Sequence, residues 1–272
     1  MPELPEVETV RRGIAPLILG RPVDQVVLRT AGLRWPFPPE LNQVLVGRPF
    51  REVARRGKYL LLSNEGGCLI LHLGMSGHVR VIPAHIPAGP HDHVDIVLAD
   101  GNCLRLNDPR RFGALLWTEA DPARHPLLAN LGPEPLGEEF SGEMLFQRSR
   151  GRRVAVKNFL MDSRIVVGVG NIYASEALFQ AGIRPNTPAG RIGKEGYRRL
   201  AEAVRQVLNA AIEAGGTTLR DFADEQGRPG YFSRQLAVYG RAGRPCLRCG
   251  AQIRQLRIGQ RSSYFCPHCQ RG

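Results

Sequence analysis

Lysine is nearly absent from this chain of 272 residues, which has only Lys58, Lys157 and Lys194 among its 37 basic residues. A codon preference for arginine explains most of that ratio, but not why a lysine is kept at these three places. Long apolar runs are also lacking, and no segment could span a bilayer. Because no basic stretch followed by an apolar one indicates a signal peptide, we expect a cytoplasmic protein without membrane attachment.

Acidic residues are missing from the end of the chain. Residues 240–272 contain seven arginines and neither Asp nor Glu, in a chain with a net charge of +12 and a pI near 10.1. Such concentrated positive charge indicates a polyanionic partner. The length and the hydrophobic content of 43% allow two domains, or one large domain with a small appended module.

Four of the six cysteines form two C-x2-C pairs separated by 16 residues: Cys246, Cys249, Cys266 and Cys269. This is the spacing of a four-cysteine zinc site, so we predict one structural Zn²⁺. The sequence between the pairs predicts a hairpin turning at Gly259-Gln260, with Arg254, Arg257 and Arg261 suited to DNA phosphates. Two disulfides would be the alternative for the cysteines, and docking onto protein the alternative for the hairpin. Cys68 and Cys103 lie in apolar runs, which predicts buried thiols.

Short apolar runs broken by Gly, Pro, Asn and Asp fill residues 21–118, a texture typical of antiparallel strands in a sandwich or flattened barrel. The predicted strands are Val23–Leu28, Tyr59–Ser63, Cys68–Leu73, His78–Ile82, Val94–Leu98, Cys103–Leu106 and Ala114–Trp117. A Pro/Gly-rich passage at residues 131–137 indicates a linker between domains.

Beyond the linker the apolar period becomes helical. The predicted helices are Ser141–Arg148, Val154–Met161, Asn171–Ala181 and Lys194–Ala214, and a polar, glycine-containing segment follows over residues 217–231. We therefore predict an α+β multidomain protein. Its parts are an N-terminal β-sandwich with an N-terminal helix over 1–131, a helical domain over 132–239 and a zinc finger β-hairpin over 240–272.

The first residues, Met1-Pro2-Glu3-Leu4-Pro5-Glu6-Val7, place an unusual nucleophile at the tip of a predicted helix. Removal of Met1 would leave Pro2 with a free secondary amine, and an α-amino group titrates near neutral pH at about 7.7–8.0. A secondary amine that condenses with a sugar aldehyde gives a charged iminium, which acidifies the adjacent C–H. Glu3 and Glu6 could donate or accept the proton. An ordinary acidic helix cap is the alternative interpretation.

A second motif joins two predicted helices through a glycine turn over residues 168–171. Gly168 and Gly170 allow backbone amides to approach a ligand closely, and Asn171 is expected to cap the second helix. The turn could therefore hold a phosphate, or it could serve only to pack the helices.

Together these motifs resemble the formamidopyrimidine-DNA glycosylases, from the N-terminal signature through to Cys269. The resemblance implies an enzyme that excises oxidised purines from damaged double-stranded DNA and cleaves the abasic site by β,δ-elimination. Pro2 would be its nucleophile and Glu3 its proton shuttle, with Glu6 in a positioning role. Lys58 would contact a phosphate or the damaged base.

The resemblance also assigns DNA contacts. Lys157, Asn171 and Arg261 match phosphate-binding positions. We include His91, the first residue of a His-Asp-His run, although Gly89-Pro90 stands where the family often has a basic residue before that run. Met75, Arg110 and Phe112 match the residues that fill the hole left by an everted base. Taken alone, Met75 and Phe112 would be assigned to the core. The segment 217–231 corresponds to the place where these enzymes close over the everted base.

Two other functions stay open on the sequence. One is the sister group that prefers oxidised pyrimidines, although Leu4 stands where that group tends to have glycine. The other is a lesion-binding protein without catalysis, against which the retained Pro2 and Glu3 argue. We expect a monomer that is associated with the nucleoid when it is bound to DNA.

Overall fold

The computed structural model of the protein describes residues 2–216 and 235–271, so the predicted loop at 217–231 lies outside the described residues. The chain divides into two compact units. The described part of the N-terminal unit comprises residues 2–129 and 214–216, and that of the C-terminal unit comprises residues 130–213 and 235–271.

The N-terminal unit begins with the helix α1, Leu4–Ile18, which Glu3 precedes in an extended conformation as the N-cap. Pro5 lies in the first turn, where a missing N–H leaves no intrahelical bond unmade. Val7, Val10 and Ile14 recur at i, i+3 and i+7 and are all buried, so they form one apolar face of the predicted helix.

Eight strands follow α1, interrupted only by the short helix α2, Leu41–Leu45. The strands β1 to β8 are Val23–Leu28, Glu52–Arg56, Tyr59–Asn64, Gly67–His72, His78–Pro83, Asp92–Leu98, Asn102–Asn107 and Ala114–Thr118. They form two antiparallel sheets of four strands each, in the orders β1-β6-β7-β5 and β2-β3-β4-β8. Apolar side chains from both sheets and from α1 share one core, as in a sandwich: Ile14, Leu60, Leu71, Val79 and Leu104 are examples. The predicted sandwich is thereby confirmed.

Two elements of this unit were not predicted. Strand β2 has a single buried side chain, Val53, and lies at the edge of its sheet, so its sequence shows no apolar run. Helix α2 has only five residues, of which Leu41 and Leu45 are buried. A single helical turn gives too few residues for a period to be recognised.

The C-terminal unit is helical apart from one hairpin. Its helices α3 to α6 are Gly142–Ser149, Val156–Met161, Asn171–Gln180 and Lys194–Glu213, and its strands β9 and β10 are Arg254–Ile258 and Arg261–Phe265. The two strands pair antiparallel around Gly259-Gln260, as predicted. Across the described ranges, no helix combines the length and apolarity needed to cross a membrane.

A buried ion pair joins β6 and β7 inside the sandwich. The guanidinium of Arg105, which is almost fully buried, donates to both carboxylate oxygens of Asp95 at 2.7 and 2.8 Å. It also donates to the carbonyl oxygens of Ile86 and Pro87, which anchors the loop before His91. Burial acts to raise the pKa of Asp95, but the guanidiniums of Arg105 and Arg29 bring it below its usual value.

Substituting Asp95→Asn should destabilise the protein by about 3 kcal/mol, because it removes the bidentate partner of a buried guanidinium and leaves it only the longer contact of 3.7 Å with Asp92. Equilibrium denaturant unfolding would measure the difference. The matched control is Asp100→Asn, which removes a carboxylate paired with Arg21 at 2.7 Å at a more exposed place and should cost less than about 1 kcal/mol. Equal losses for the two variants would contradict a structural role for the buried pair.

Candidate active site and metal centre

Pro2 is buried immediately before α1, and Glu3 beside it is also buried. The Glu6 carboxylate accepts a hydrogen bond of 2.8 Å from the Glu3 backbone N–H. A Cβ placed on Gly216 would lie only 3.2 Å from Glu6 Cγ, so the chain beyond α6 passes close to this carboxylate. These contacts hold the start of the helix and favour the positioning role predicted for Glu6.

A cluster of charges on α1 reaches the strand that leads to Lys58. The Glu8 carboxylate accepts hydrogen bonds from Arg11, Arg12 and Arg55. Burial acts to raise the pKa of Glu8, but these guanidiniums lower it to about 2. Arg55 also donates to the carbonyl oxygen of Gly57 at 3.0 Å.

Gly57 and Lys58 form the two-residue turn between β2 and β3, since Arg56 pairs with Tyr59. The positive φ of 56° at Gly57 suits such a turn. Because α1 packs on β2 and β3, the helix that follows Pro2 and the turn that carries Lys58 belong to one packed assembly.

His72, at the end of β4, is a residue of this site that sequence reasoning missed. Its ring lies 4.8 Å from that of Tyr59, and its Nδ1 accepts the Gly74 N–H at 3.1 Å. Burial, followed by the positive charges of Lys58 and Arg34, lowers the pKa of His72 to about 4. With Nδ1 as an acceptor, the neutral ring carries its proton on Nε2 and offers a donor there. The only sequence signal was its place beside the glycine-flanked Met75 turn.

The three predicted void-filling residues are exposed. Met75 and Phe112 have exposed fractions of 38% and 45%, and the Arg110 guanidinium carbon lies 4.8 Å from the centre of the Phe112 ring. Assigning Met75 and Phe112 to the core would therefore have been wrong. His91 is also exposed, with an unusual φ of 68°. Water-exposed apolar side chains of this size are available for contact with a partner.

Lys157, predicted to bind a phosphate, lies inside the C-terminal unit. Its exposed fraction is 1%, and its Nζ donates to Ser263 Oγ at 2.8 Å and to the Ser262 carbonyl oxygen at 3.2 Å. It thereby joins α4 to β10 of the hairpin. In this arrangement the ammonium links two elements, and its phosphate contact stays a prediction.

Asn171 was expected to be the N-cap of its helix, and this was wrong. Gly170 takes that position in an extended conformation, and its carbonyl oxygen accepts the Ala174 N–H at 3.0 Å. The helix therefore starts one residue earlier than a cap at Asn171 would place it. Asn171 is the first helical residue, and its Nδ2 lies 3.4 Å from the hydroxyl of Tyr239.

Tyr239, which lies beside Asn171 in the C-terminal unit, is another residue that sequence reasoning missed. Its ring packs edge-on against Tyr264 of β10 at 5.0 Å. Its backbone N–H donates to the buried carboxylate of Glu176, which also accepts the N–H groups of Ala237 and Val238. Glu176 on α5 thus fixes the chain that brings Tyr239 to Asn171. No sequence motif marks this long-range contact.

The four paired cysteines lie together as free thiols. Their Sγ atoms are all within 4.8 Å of one another, with 3.5 Å between Cys249 and Cys266 and 3.9 Å between Cys246 and Cys269. A tetrahedral zinc ion with Zn–S bonds of about 2.3 Å requires sulfurs about 3.8 Å apart, so the donor set fits one Zn²⁺ and not two disulfides. The hairpin adds only a small apolar core, which makes the metal its main source of stability.

The hairpin exposes a row of positive charge. Arg254, Arg257 and Arg261 are all exposed, and Arg257 donates to the Gln260 side chain beside the turn. Arg261 lies at the start of β10 and lines a cavity of about 260 Å³ with Asn158, Met161 and Asp162. The same hairpin therefore holds the metal and offers guanidinium groups suited to phosphates.

Three family models match the chain: the N-terminal domain of formamidopyrimidine-DNA glycosylase over residues 1–115, its H2TH domain over 131–223, and the zinc finger found in FPG and IleRS over 243–272. A formamidopyrimidine-DNA glycosylase of Syntrophotalea carbinolica is 65% identical over 271 residues, which is 100% of both chains.

Solved structures agree with these matches. The MutM (FPG) protein of Thermus thermophilus has a TM-score of 0.88 and 43% identity, covering 99% of this chain and 98% of the other. A mutant FPG of Lactococcus lactis, in a complex with DNA containing Fapy-dG, has a TM-score of 0.93 and 31% identity, with 100% of both chains covered.

A sandwich that begins with Pro2-Glu3, a helical H2TH unit and a four-cysteine hairpin together define a DNA glycosylase with a zinc finger. Within that class, the chain belongs to the formamidopyrimidine-DNA glycosylase family.

Metal analysis of the purified protein should find one zinc per chain. Cys249→Ser should abolish zinc binding, because three thiolates do not complete the tetrahedron, and should unfold the hairpin. Cys68→Ala is the matched control, since Cys68 is a buried thiol of the sandwich and its removal should leave zinc content unchanged. Full zinc content in the Cys249 variant would contradict the site.

The low pKa of His72 makes stability depend on pH. An unfolded imidazole takes up a proton near pH 6.5, about the usual value, whereas folded His72 stays neutral down to about pH 4. Protons therefore favour the unfolded chain, and stability falls as the pH is lowered through this window. His72→Gln should reduce that fall by about 1 to 2 kcal/mol in unfolding measurements, allowing for partial solvation. His85→Gln, at an exposed position, is the matched control. A pH profile for His72→Gln identical to that of wild type would refute the effect.

Proposed function

We propose that this protein excises oxidised purines, 8-oxoguanine and formamidopyrimidines, from duplex DNA and cleaves the resulting abasic site by β,δ-elimination. The observation that carries the proposal is the burial of Pro2 and Glu3 at the head of α1, which packs on the strands that present Lys58. The relatives' name and the Fapy-dG-containing DNA held by the Lactococcus lactis protein support this lesion class.

In the proposed mechanism the Pro2 nitrogen attacks C1′ of the damaged nucleotide. The electrons of the glycosidic bond leave with the purine, which is protonated, and the sugar ring opens to an iminium on Pro2. Glu3 shuttles protons at the sugar. Loss of the C2′ proton expels the 3′ phosphate, and the second elimination expels the 5′ phosphate, leaving a gap of one nucleotide.

The remaining predicted residues would contact the DNA. Arg261 and Asn171 are assigned to phosphates and Lys58 to a phosphate or the lesion. Met75, Arg110 and Phe112 are assigned to the space left by the everted base, a role that their exposure supports. His91 is assigned a further DNA contact. The buried Lys157 would act on DNA through the hairpin that it holds.

We propose that the protein acts as a monomer in the cytoplasm, at the nucleoid. A zinc site built from four thiols suits a reducing compartment, and one chain carries every group that the mechanism uses. The domain division at 131/132 and 239/240 is likewise proposed. It is supported by the gaps between the matches, which end at 115 and 223 and resume at 131 and 243.

Borohydride should trap wild-type protein covalently on a duplex carrying 8-oxoguanine opposite cytosine, because the iminium is reduced to a stable amine. Intact mass should show that Met1 is absent from the active protein. Pro2→Gly should lower both trapping and excision at least tenfold, since it removes the secondary amine. The readout is a denaturing gel of trapped complex and cleaved strand under single-turnover conditions.

Pro5→Ala is the matched control, since it replaces the second proline of the same segment and leaves Pro2 in place; it should trap as wild type does. A Pro2→Gly variant that cuts as well as wild type would exclude the proline mechanism. Faster excision of thymine glycol than of 8-oxoguanine would instead assign the chain the activity of the sister group.

A further inference from the structure

Asp108, at the end of β7, is a fully buried carboxylate that the mechanism above does not use. Its exposed fraction is 0%, and its side chain is hydrogen-bonded on both oxygens. Oδ1 accepts from the Ser76 hydroxyl at 3.0 Å and from the Arg110 N–H at 3.3 Å, while Oδ2 accepts from the Gly113 N–H at 2.8 Å. A buried charge is tolerated only with such partners, so this loop geometry depends on the carboxylate.

The partners of Asp108 adjoin the exposed side chains assigned to the base vacancy. Ser76 follows Met75 directly, and Gly113 follows Phe112, while Arg110 supplies its own backbone N–H. One carboxylate therefore bonds the Met75 turn to both ends of the Arg110–Phe112 turn. Ser76 and Asp108 lie 32 residues apart in sequence, and β5 to β7 separate the two turns along the chain.

The backbone of Asp108 extends the link to a third loop. Its N–H donates to the His91 carbonyl oxygen at 3.1 Å, and its carbonyl oxygen lies 3.0 Å from Nε2 of His93. The strained φ of 68° at His91 is thus held by a bond to the same residue. Asp108 is thus bonded to the loops that carry four of the predicted DNA contacts: Met75, His91, Arg110 and Phe112.

Close backbone contact between the two turns adds to this link. A Cβ on Gly74 would lie 2.5 Å from the Gly113 nitrogen and from the Phe112 carbonyl carbon, and one on Gly113 would lie 2.8 Å from the His72 carbonyl oxygen. No side chain fits at either position. The turns therefore present their exposed side chains from a backbone that has little room to move.

We propose that Asp108 is a positioning residue that locks these loops into one unit and thereby sets discrimination of the base opposite the lesion. The inference rests on the DNA roles proposed for Met75, Arg110 and Phe112. A flexible turn would lose entropy on entering the duplex and would let Arg110 adapt to a wrong partner base. A rigid turn enters the duplex with its side chains already in the positions that they take in the complex.

The test uses single-turnover cleavage of three duplexes, with 8-oxoguanine opposite cytosine, 8-oxoguanine opposite adenine, and a preformed abasic site. Asp108→Asn keeps the shape of the side chain but replaces one acceptor oxygen with a donor. It should slow excision opposite cytosine at least tenfold and lower the cytosine-to-adenine rate ratio at least threefold. Abasic-site cleavage should stay within twofold, because no base has to be everted.

Ser76→Ala removes a single bond to the carboxylate and should change the ratio in the same direction by a smaller factor; it decides the question if Asp108→Asn fails to fold. Asp24→Asn, an exposed aspartate of β1, is the matched control and should change nothing. A parallel fall of all three rates at constant ratio, or unchanged rates, would overturn the proposal. Wild-type protein that does not excise 8-oxoguanine would instead refute the proposed function itself.

Discussion

The structure depends first on holding a chain end in place. The proposed nucleophile is the second residue, and the ends of chains fray unless they are tied down. Here α1 ties the end down by burying Val7, Val10 and Ile14 in the sandwich core, while Glu8 binds Arg55 of β2. Because the pKa of Glu8 is about 2, that carboxylate stays charged at every physiological pH and its ion pairs persist.

The sandwich separates the groups that contact a partner from the groups that hold them. Met75, Arg110 and Phe112 are exposed, and each lies next to a backbone or side chain that bonds to the buried Asp108. Exposed apolar side chains cost solubility and gain no packing energy, so the backbone that presents them has to be held by groups beneath it. A network of buried hydrogen bonds does this without covering them.

The sequence predicts most of the elements and the metal, because each has a local signal. The helical period of α1, the short apolar run of β3 and the C-x2-C spacing need no knowledge of distant residues. The edge strand β2 and the short α2 lacked such a signal. The contacts that place His72, Asp108 and Tyr239 at their positions join segments that are far apart in sequence, so no local motif predicts them. Lys157 shows the converse, since a family motif names the residue but not its burial.

The bond from Lys157 to Ser263 has a consequence for oxidative damage. A buried ammonium needs acceptors, and two of those that serve Lys157 lie on β10, directly before the metal ligand Cys266. Oxidants that convert the four thiolates to disulfides would release the zinc ion and loosen β10. Both acceptors, the Ser262 carbonyl and the Ser263 hydroxyl, would then move away from the Lys157 ammonium on α4. Oxidation of the zinc finger would thus also destabilise the helices packed against it. A repair protein that meets the same oxidants as its DNA substrate would then lose its activity.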